Sequence, residues 1–163
     1  MHMDQEIKIV DYSDDFRDAF VHLSISWISE HWPIEERDHY ELEHVRENII
    51  EPGGFILMAL MGDTPVGTVA MIAMDGKEYD YELAKFTTAR DIRGKGIGRK
   101  LIVEAIRRAD EKVSASRPHA RLYIETNHLC EAGIHLYEQY GFKLIPGKVS
   151  AVFDRGDYLM ERV

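Results

Sequence analysis

The sequence predicts an α/β fold, an α+β arrangement in which one mixed sheet is covered by helices on both faces. Helical and strand periodicities alternate along the chain, and three consecutive strands without a helix between them follow residue 54. The next helix lies between two strands. Consecutive strands favour an antiparallel meander, whereas a strand–helix–strand unit needs parallel strands and a right-handed crossover. The predicted order is β-α-α-β-β-β-α-β-α-β-β.

The first third of the chain predicts one strand and two helices. EIKIVDY alternates like a short strand, and Ser13 then offers an N-cap. The first helix has apolar side chains at helical spacing and cannot continue through Pro33. The second helix stops before Pro52-Gly53-Gly54. The apolar positions are Phe16, Phe20, Leu23 and Trp27 in the first helix, and Leu42, Val45 and Ile49 in the second.

The remaining elements are predicted from changes between helical and strand spacing of the apolar residues. FILMALM, VGTVAMIAM and YDYELAKFTTA predict the meander, with a turn at Gly62 to Pro65 and a hairpin signal at Asp75-Gly76. RLYIET predicts a strand, and LCEAGIHLYEQY predicts a helix closed by Gly141. FKLI and YLMERV predict the last strands. The helix between the meander and RLYIET has its apolar face at Leu101, Ala105, Ile106, Ala109 and Val113.

Composition limits the classes of partner. The 163 residues suit one domain, residues 1–163, and the net charge of −9 argues against a nucleic-acid partner. The single Cys130 allows no disulfide within the chain and no cysteine metal cluster, which favours a reducing cytoplasm. No apolar run reaches the ~18–20 residues of a membrane span. The histidines lack metal-ligand spacing, so we expect no metal.

The stretch RGKGIGRKL places three glycines at alternate positions before a basic helix. Its spacing fits neither a Walker loop nor a Rossmann fingerprint. Small residues next to the unpaired N–H groups of a helix N-terminus nevertheless form an anion site. Residues 90–112 contain eight basic and four acidic side chains in an acidic protein. The alternative is a flexible loop followed by a solvated helix face.

Arg93-x-x-Gly96-x-Gly98 matches the Q/R-x-x-G-x-G/A motif, and here the sequence resembles the GNAT N-acetyltransferase superfamily. YELAKFTTARDIRGKGIGRKL resembles the family's fourth strand and third helix, LYIETN its fifth strand, and AGIHLYEQYGF the following helix and turn. The resemblance covers roughly residues 54 to 145. It implies a GNAT-like acyl-CoA acyltransferase fold with acetyl-CoA as cosubstrate. The first 50 residues match only in having two helices.

The resemblance implies a cofactor-binding set. The loop would hold the pyrophosphate through its backbone, and the strand before it would receive the pantetheine arm. Four basic side chains could pair with phosphates, and sequence leaves open which of them point inward. Asn127 is assigned an amide contact that relatives make at either of two positions, the second of which is Cys130 here; its alternative role is in a turn. The set is Phe86, Thr87, Thr88, Arg93, Gly94, Lys95, Gly96, Ile97, Gly98, Arg99, Lys100 and Asn127.

Two residues are predicted to be catalytic from the same resemblance. Tyr137 would protonate the departing thiolate, because a phenol of pKa about 10 can supply a proton to a thiol of pKa about 8.5. Its alternative role is packing. Glu82 would remove a proton from the attacking amine, and its alternative is a solvated or ion-paired residue. Strand alternation places Glu82 and Ala84 on one face of the sheet, and Leu83 and Lys85 on the other.

The expected acceptor is the primary amine of a small molecule, which attacks the thioester directly. Residues 30–51 hold eight acids and two bases close to two tryptophans, which suits a cationic amine, although an exposed acidic helix face explains the acids equally well. Acetylation of a protein N-terminus or lysine and transfer of a longer acyl chain are alternatives. A non-catalytic acyl-CoA sensor is an alternative of another class. Dimers are common among the relatives, which leaves a homodimer open.

Overall fold

The computed structural model describes residues 6–92 and 95–163 and confirms a mixed sheet between two layers of helices. Seven strands lie in the order β1-β2-β3-β4-β5-β7-β6. The strands are β1 (Ile7–Asp11), β2 (Phe55–Met61), β3 (Thr64–Ala73), β4 (Tyr81–Thr88), β5 (Leu122–Thr126), β6 (Lys143–Leu144) and β7 (Tyr158–Arg162). The helices are α1 (Arg17–Ser29), α2 (Glu36–Glu43), α3 (Ile97–Val113) and α4 (Glu131–Gln139).

The strand pairing has the predicted directions. β2, β3 and β4 form the antiparallel meander, and β4 pairs with β5 in parallel across α3. β7 lies between β5 and β6 and is antiparallel to both. One core lies beneath α3 and α4 and includes Leu57, Met71 and Leu101; the other lies beneath α1 and includes Phe20 and Met58. None of the described helices is both long and apolar enough to span a membrane.

Several local predictions needed correction. The side chain of Ser13 makes no cap hydrogen bond, and a 3-10 turn, Asp14–Phe16, precedes α1. The second predicted helix is divided, because α2 ends at Glu43 and a single π-helical turn, Arg46–Ile50, follows. β3 already begins at Thr64, since Gly62 adopts a φ of 63° and allows a tight two-residue turn.

A β-bulge in β4 positions the functional site. Thr68 pairs with Thr87 and Ala70 pairs with Ala84, so two residues of β4, Lys85 and Phe86, stand opposite Val69 alone. The inserted Lys85 has a φ of 53°. The alternation expected for Lys85 was therefore wrong: its ammonium reaches Glu41 of α2, whereas Leu83 is buried in the core beneath α3.

β4 and β5 separate immediately before this bulge. Within the described chain their pairing is limited to Tyr81 with Leu122 and Glu82 with Tyr123. The remainder of β4 therefore has a free backbone edge on the side facing β5, and a gap opens between the two strands. Unpaired backbone groups at a strand edge are available to a ligand.

Candidate active site

The gap between β4 and β5 is part of a cavity of about 730 Å³. It is bounded by both strands, the first turn of α3, α4, the end of α1 and the loop before β7. The predicted site residues that line it are Glu82, Phe86, Thr87, Thr88, Gly96, Ile97, Gly98, Asn127 and Tyr137. Lys95, Arg99 and Lys100 are exposed and do not line it. Arg93 and Gly94 lie outside the described residues.

The first turn of α3 forms one end of the cavity. Gly96 precedes the helix with a φ of 76°, a left-handed conformation that glycine adopts without steric cost. No side chain caps the helix, so the N–H groups of its first turn stay directed outward with their partial positive charge. Arg99 donates hydrogen bonds to the Tyr140 hydroxyl at 2.9 Å and to Gln139 Oε1 at 2.7 Å. Its charge thus also fastens α3 to the end of α4.

The edge of β4 forms the long wall of the cavity. The Thr87 hydroxyl is buried and has no hydrogen-bond partner among the described residues. A buried polar group without a partner is costly, and a ligand with amide groups would satisfy both this hydroxyl and the free strand edge. Phe86 lies beneath, with its ring centroid 6.0 Å from that of Tyr137. The wall and the helix end therefore fit an extended ligand that carries amides and ends in phosphates.

The close contact between Gly98 and Phe86 allows a test of whether this wall binds acetyl-CoA. A Cβ on Gly98 would lie 2.9 Å from Phe86 Cζ, so Gly98→Ala must displace the ring. We expect about a tenfold rise in the acetyl-CoA Kd measured by calorimetry. Gly133→Ala is the control, because a Cβ there meets its nearest atom, Tyr137 Cε2, at 3.7 Å, an ordinary contact. Equal affinities for both variants would count against the assignment of this wall.

Tyr137 lies on α4 between two aromatic rings. Tyr137 is 6% exposed, and its ring centroid lies 6.0 Å from that of Phe86 and 5.9 Å from that of Phe142. Burial, with a smaller contribution from Cys130, raises the pKa of the phenol above its usual value. The hydroxyl therefore stays protonated at neutral pH, and it makes no hydrogen bond to any other described residue.

Glu82 lies where β4 and β5 separate. Burial raises the pKa of its carboxyl to about 8, and the charges of Glu125 and Glu41 add to that rise, while Lys85 and Arg37 oppose it. Among the described residues Glu82 forms no ion pair, because the Lys85 ammonium instead donates to Glu41 at 2.8 Å. A carboxyl that ionises near the working pH is well suited to accept a proton during a reaction.

The loop between β6 and β7 closes the opposite side of the cavity. Arg155 donates to both carboxylate oxygens of Asp38, at 2.8 and 2.5 Å, and its guanidinium lies 4.4 Å from the ring centroid of Phe153. Asp38 is fully buried, and it also accepts from the backbone N–H of Glu35 in a capping box at the start of α2. Hydrogen bonds from Arg155 lower the pKa of Asp38 although burial opposes them.

Asn127 lines the cavity and supports this loop. Its amide nitrogen donates to the carbonyl of Arg155 at 2.8 Å, and its carbonyl oxygen accepts from the backbone N–H of Leu129 at 2.9 Å. The structure therefore places it in a turn between β5 and α4, with both polar groups already bonded within the protein.

Removing Arg155 should strongly destabilise the fold. Among the described residues, Arg155→Met would leave the buried Asp38 carboxylate with only the Glu35 N–H at 2.9 Å and the Lys85 ammonium at 3.9 Å. Loss of the bidentate partner should cost about 3 kcal/mol and lower Tm by on the order of 10 °C. Arg107→Met is the matched control, since Arg107 pairs with Glu104 and Glu111 at an exposed site, where such pairs contribute about 1 kcal/mol or less. Thermal denaturation by circular dichroism compares them, and similar melting temperatures would show that the Asp38 pair is not structural.

The eight acids of residues 30–51 have three kinds of surroundings. Glu30 and Glu41 line the cavity with Trp27 and Trp32, whose ring centroids are 5.7 Å apart. Two more, Glu35 and Asp38, pair with Arg155. The remaining four face solvent: Glu36, Glu43, Glu47 and Glu51. Sequence reasoning missed Asp38, Phe153, Arg155 and Glu125. The acid that directly follows Leu-Tyr-Ile in the predicted strand RLYIET was the only signal available for Glu125.

Comparison with known proteins identifies the family. A model of the acetyltransferase (GNAT) family matches residues 14–142. A GNAT-family acetyltransferase from Staphylococcus aureus Mu50 superposes with a TM-score of 0.80 at 22% identity, over 96% of this chain and 98% of that one. PaiA N-acetyltransferase from Thermoplasma acidophilum was solved in complex with coenzyme A. It superposes with a TM-score of 0.68 at 19% identity, over 96% of this chain and 98% of that one.

A ribosomal-protein-alanine N-acetyltransferase from Brucella melitensis gives a TM-score of 0.71 at 19% identity, over 96% of this chain and 99% of that one. A comparison with curated protein sequences gave no significant match. At these identities the structures demonstrate a shared fold, whereas the family model covers most of the chain. The chain therefore belongs to the GNAT family of acetyltransferases and is an acyltransferase enzyme.

Proposed function

We propose that this enzyme transfers the acetyl group of acetyl-CoA to the primary amine of a small molecule by direct attack on the thioester. One observation carries the proposal: Glu82 on β4 and Tyr137 on α4 line the same cavity. The first is a carboxyl whose pKa is raised to about 8, and the second is a buried phenol that stays protonated. A base and an acid are thus available to one bound pair of substrates.

The donor would lie along β4. The first turn of α3, with Gly96, Ile97 and Gly98, would face the pyrophosphate, and the free edge at Phe86, Thr87 and Thr88 would bind the pantetheine amides. Backbone N–H groups on that edge could also polarise the thioester carbonyl. Arg93, Gly94, Lys95, Arg99 and Lys100 remain proposed phosphate contacts. The GNAT fold supports acetyl-CoA as donor, and the similar PaiA enzyme was solved with coenzyme A.

The proposed chemistry needs two proton transfers. Glu82 removes a proton from the ammonium form of the acceptor, and the neutral nitrogen then forms a bond to the carbonyl carbon. The carbon–sulfur bond breaks, and the Tyr137 hydroxyl donates its proton to the departing thiolate. The tyrosine regains a proton from the nitrogen as the amide forms. An ammonium and a thioester give an amide, a thiol and one proton released to solvent.

The acceptor side favours a small cationic molecule. The loop held by Arg155 and Asp38 covers it, and the cavity of about 730 Å³ must also contain the end of the pantetheine arm. The rings of Trp27 and Trp32 suit an ammonium group, whereas the nearby Glu30 and Glu41 already pair with Arg90 and Lys85. A protein N-terminus is the rival acceptor, favoured by the fold shared with an enzyme named for ribosomal-protein alanine. Acyl-chain length would depend on the space beside Phe86.

Calorimetry with acetyl-CoA, followed by an amine library screened through detection of free thiol, tests the proposal. We expect binding at submillimolar acetyl-CoA and thiol release with small cationic amines. Absence of binding would refute acetyl-CoA as the donor. Exclusive acetylation of peptide N-termini would refute a small molecule as the acceptor. We further propose that residues 1–163 act as one domain in the cytoplasm and form a homodimer, which light scattering would reveal.

A further inference from the structure

Glu125 has no role in the chemistry above, although it faces the same cavity. It lies on β5 two residues after Tyr123, which pairs with Glu82 across the parallel strands. Side chains at such positions share one face of a sheet. Glu125 therefore stands beside Glu82 at the point where the strands separate, and both residues line the cavity.

The two oxygens of the Glu125 carboxylate have different surroundings. The Tyr123 hydroxyl donates a hydrogen bond to Oε1 at 3.1 Å. Oε2 is buried and has no hydrogen-bond partner among the described residues. A carboxylate oxygen removed from water without a donor is costly, so the position is suited to a donor that arrives with a ligand. Tyr123 holds the carboxylate in place, and its ring stacks on that of Tyr79 at 5.1 Å.

The cations around the cavity pair with carboxylates other than Glu82 and Glu125. Lys85 pairs with Glu41 at 2.8 Å, and Arg37 pairs with the same carboxylate at 3.5 Å. Arg155 pairs with Asp38 and Glu35. Within the described chain no cation forms a salt bridge to Glu82 or Glu125. The groups that face Glu82 are Glu125 and Tyr123 from β5, Glu41 and Arg37 from α2, and Lys85 from β4.

We propose that Glu125 is a second acceptor-binding carboxylate, whose free Oε2 accepts a hydrogen bond from the acceptor ammonium and holds its nitrogen against Glu82. The inference rests on the proposed function, because it concerns the amine of that reaction. An ammonium group has three N–H donors and can bond to both carboxylates at once. After one proton passes to Glu82, an N–H bond to Glu125 remains and the nitrogen lone pair is free to attack the carbonyl.

The negative charge of Glu125 also has an effect through Glu82. It opposes ionisation of the neighbouring carboxyl when no amine is bound, and the arriving ammonium offsets that repulsion. The site thus favours a substrate that enters charged. A neutral hydroxyl or thiol acceptor could bond to Oε2 without neutralising either carboxylate.

Glu125→Gln tests the inference, since glutamine keeps the shape and loses the charge. We expect the amine KM to rise by about 10- to 100-fold with an unchanged acetyl-CoA Kd. The acidic limb of log(kcat/KM) against pH should move to lower pH, because Glu82 loses a negative neighbour. Tyr123→Phe is the matched control: it removes the bond to Oε1, keeps the charge, and should leave that limb in place. An unmoved limb and unchanged KM in Glu125→Gln overturn the inference.

A second measurement does not need turnover. Millimolar n-butylammonium chloride should raise the Tm of the wild type above that in equal sodium chloride, and Glu125→Gln should lose this difference. A wild type that acetylates no amine but retains this Glu125-dependent stabilisation would refute the proposed function and support the ammonium site. Equal stabilisation of both proteins, or of neither, refutes the site.

Discussion

Replacing Glu82 with glutamine should lower kcat by about 10²- to 10⁴-fold, the usual contribution of a general base. Acetyl-CoA affinity should remain unchanged, because the amide occupies the same volume. In the wild type, kcat/KM should rise with pH through about 8, since only the ionised carboxylate accepts a proton. Steady-state rates from pH 6 to 9.5 measure both effects, and the variant should lack this limb. A variant with nearly full activity would eliminate Glu82 as the base.

Thermal denaturation provides the control for folding of Glu82→Gln. The Glu82 carboxyl has a higher pKa in the folded than in the unfolded protein, so the folded state is more stable when this carboxyl is neutral than when it is ionised. Stability therefore falls as pH rises from the unfolded value of about 4.3 through the folded value of about 8. The variant lacks this loss, so its Tm should exceed that of the wild type by a few degrees at pH 9 and match it at pH 5. A lower Tm at pH 9 would mean that the amide disturbs the site.

Replacing Tyr137 with phenylalanine should lower kcat by about 10²- to 10⁴-fold, because the thiolate would leave without a proton donor. The ring packs between Phe86 and Phe142 in either case, so Tm and acetyl-CoA affinity should change little. The raised pKa of the phenol also implies that wild-type kcat stays constant to a pH above the ordinary tyrosine range. Stopped-flow or steady-state thiol release measures the loss.

Tyr140→Phe is the matched control for Tyr137→Phe. Tyr140 lies three residues further along the chain, and its hydroxyl accepts a hydrogen bond from Arg99 at the surface. Its removal should leave kcat within about threefold of the wild type, the effect of a surface hydrogen bond of about 0.5 kcal/mol. If both variants lose activity equally, the loss reflects the junction between α3 and α4, and Tyr137 is not the acid.

The predictable parts of this fold are those determined by local pattern. The apolar run of β2 and the helical spacing from Leu101 to Val113 specify their elements, and the glycines before α3 led to the proposed phosphate end of the site. The bulge in β4 was not predictable, because the sequence of the strand has no glycine or other residue that marks the position of a bulge. Pairing of Asp38 with Arg155 joins residues 117 positions apart, and in sequence Asp38 is one acid in a run of acids.

The bulge also makes the active site sensitive to the number of residues in β4. In a regular strand, Lys85 would pair with Val69 and Phe86 with Thr68, which would turn the Phe86 ring to the face of α1, away from Gly98 and Tyr137. Deleting Phe86 would remove the ring and place Lys85 opposite Val69. Deleting Lys85 would instead keep Phe86 on the face of α3 and remove the ammonium that pairs with Glu41. The extra residue therefore lets one short segment present an aromatic ring to α3 and an ammonium to α2.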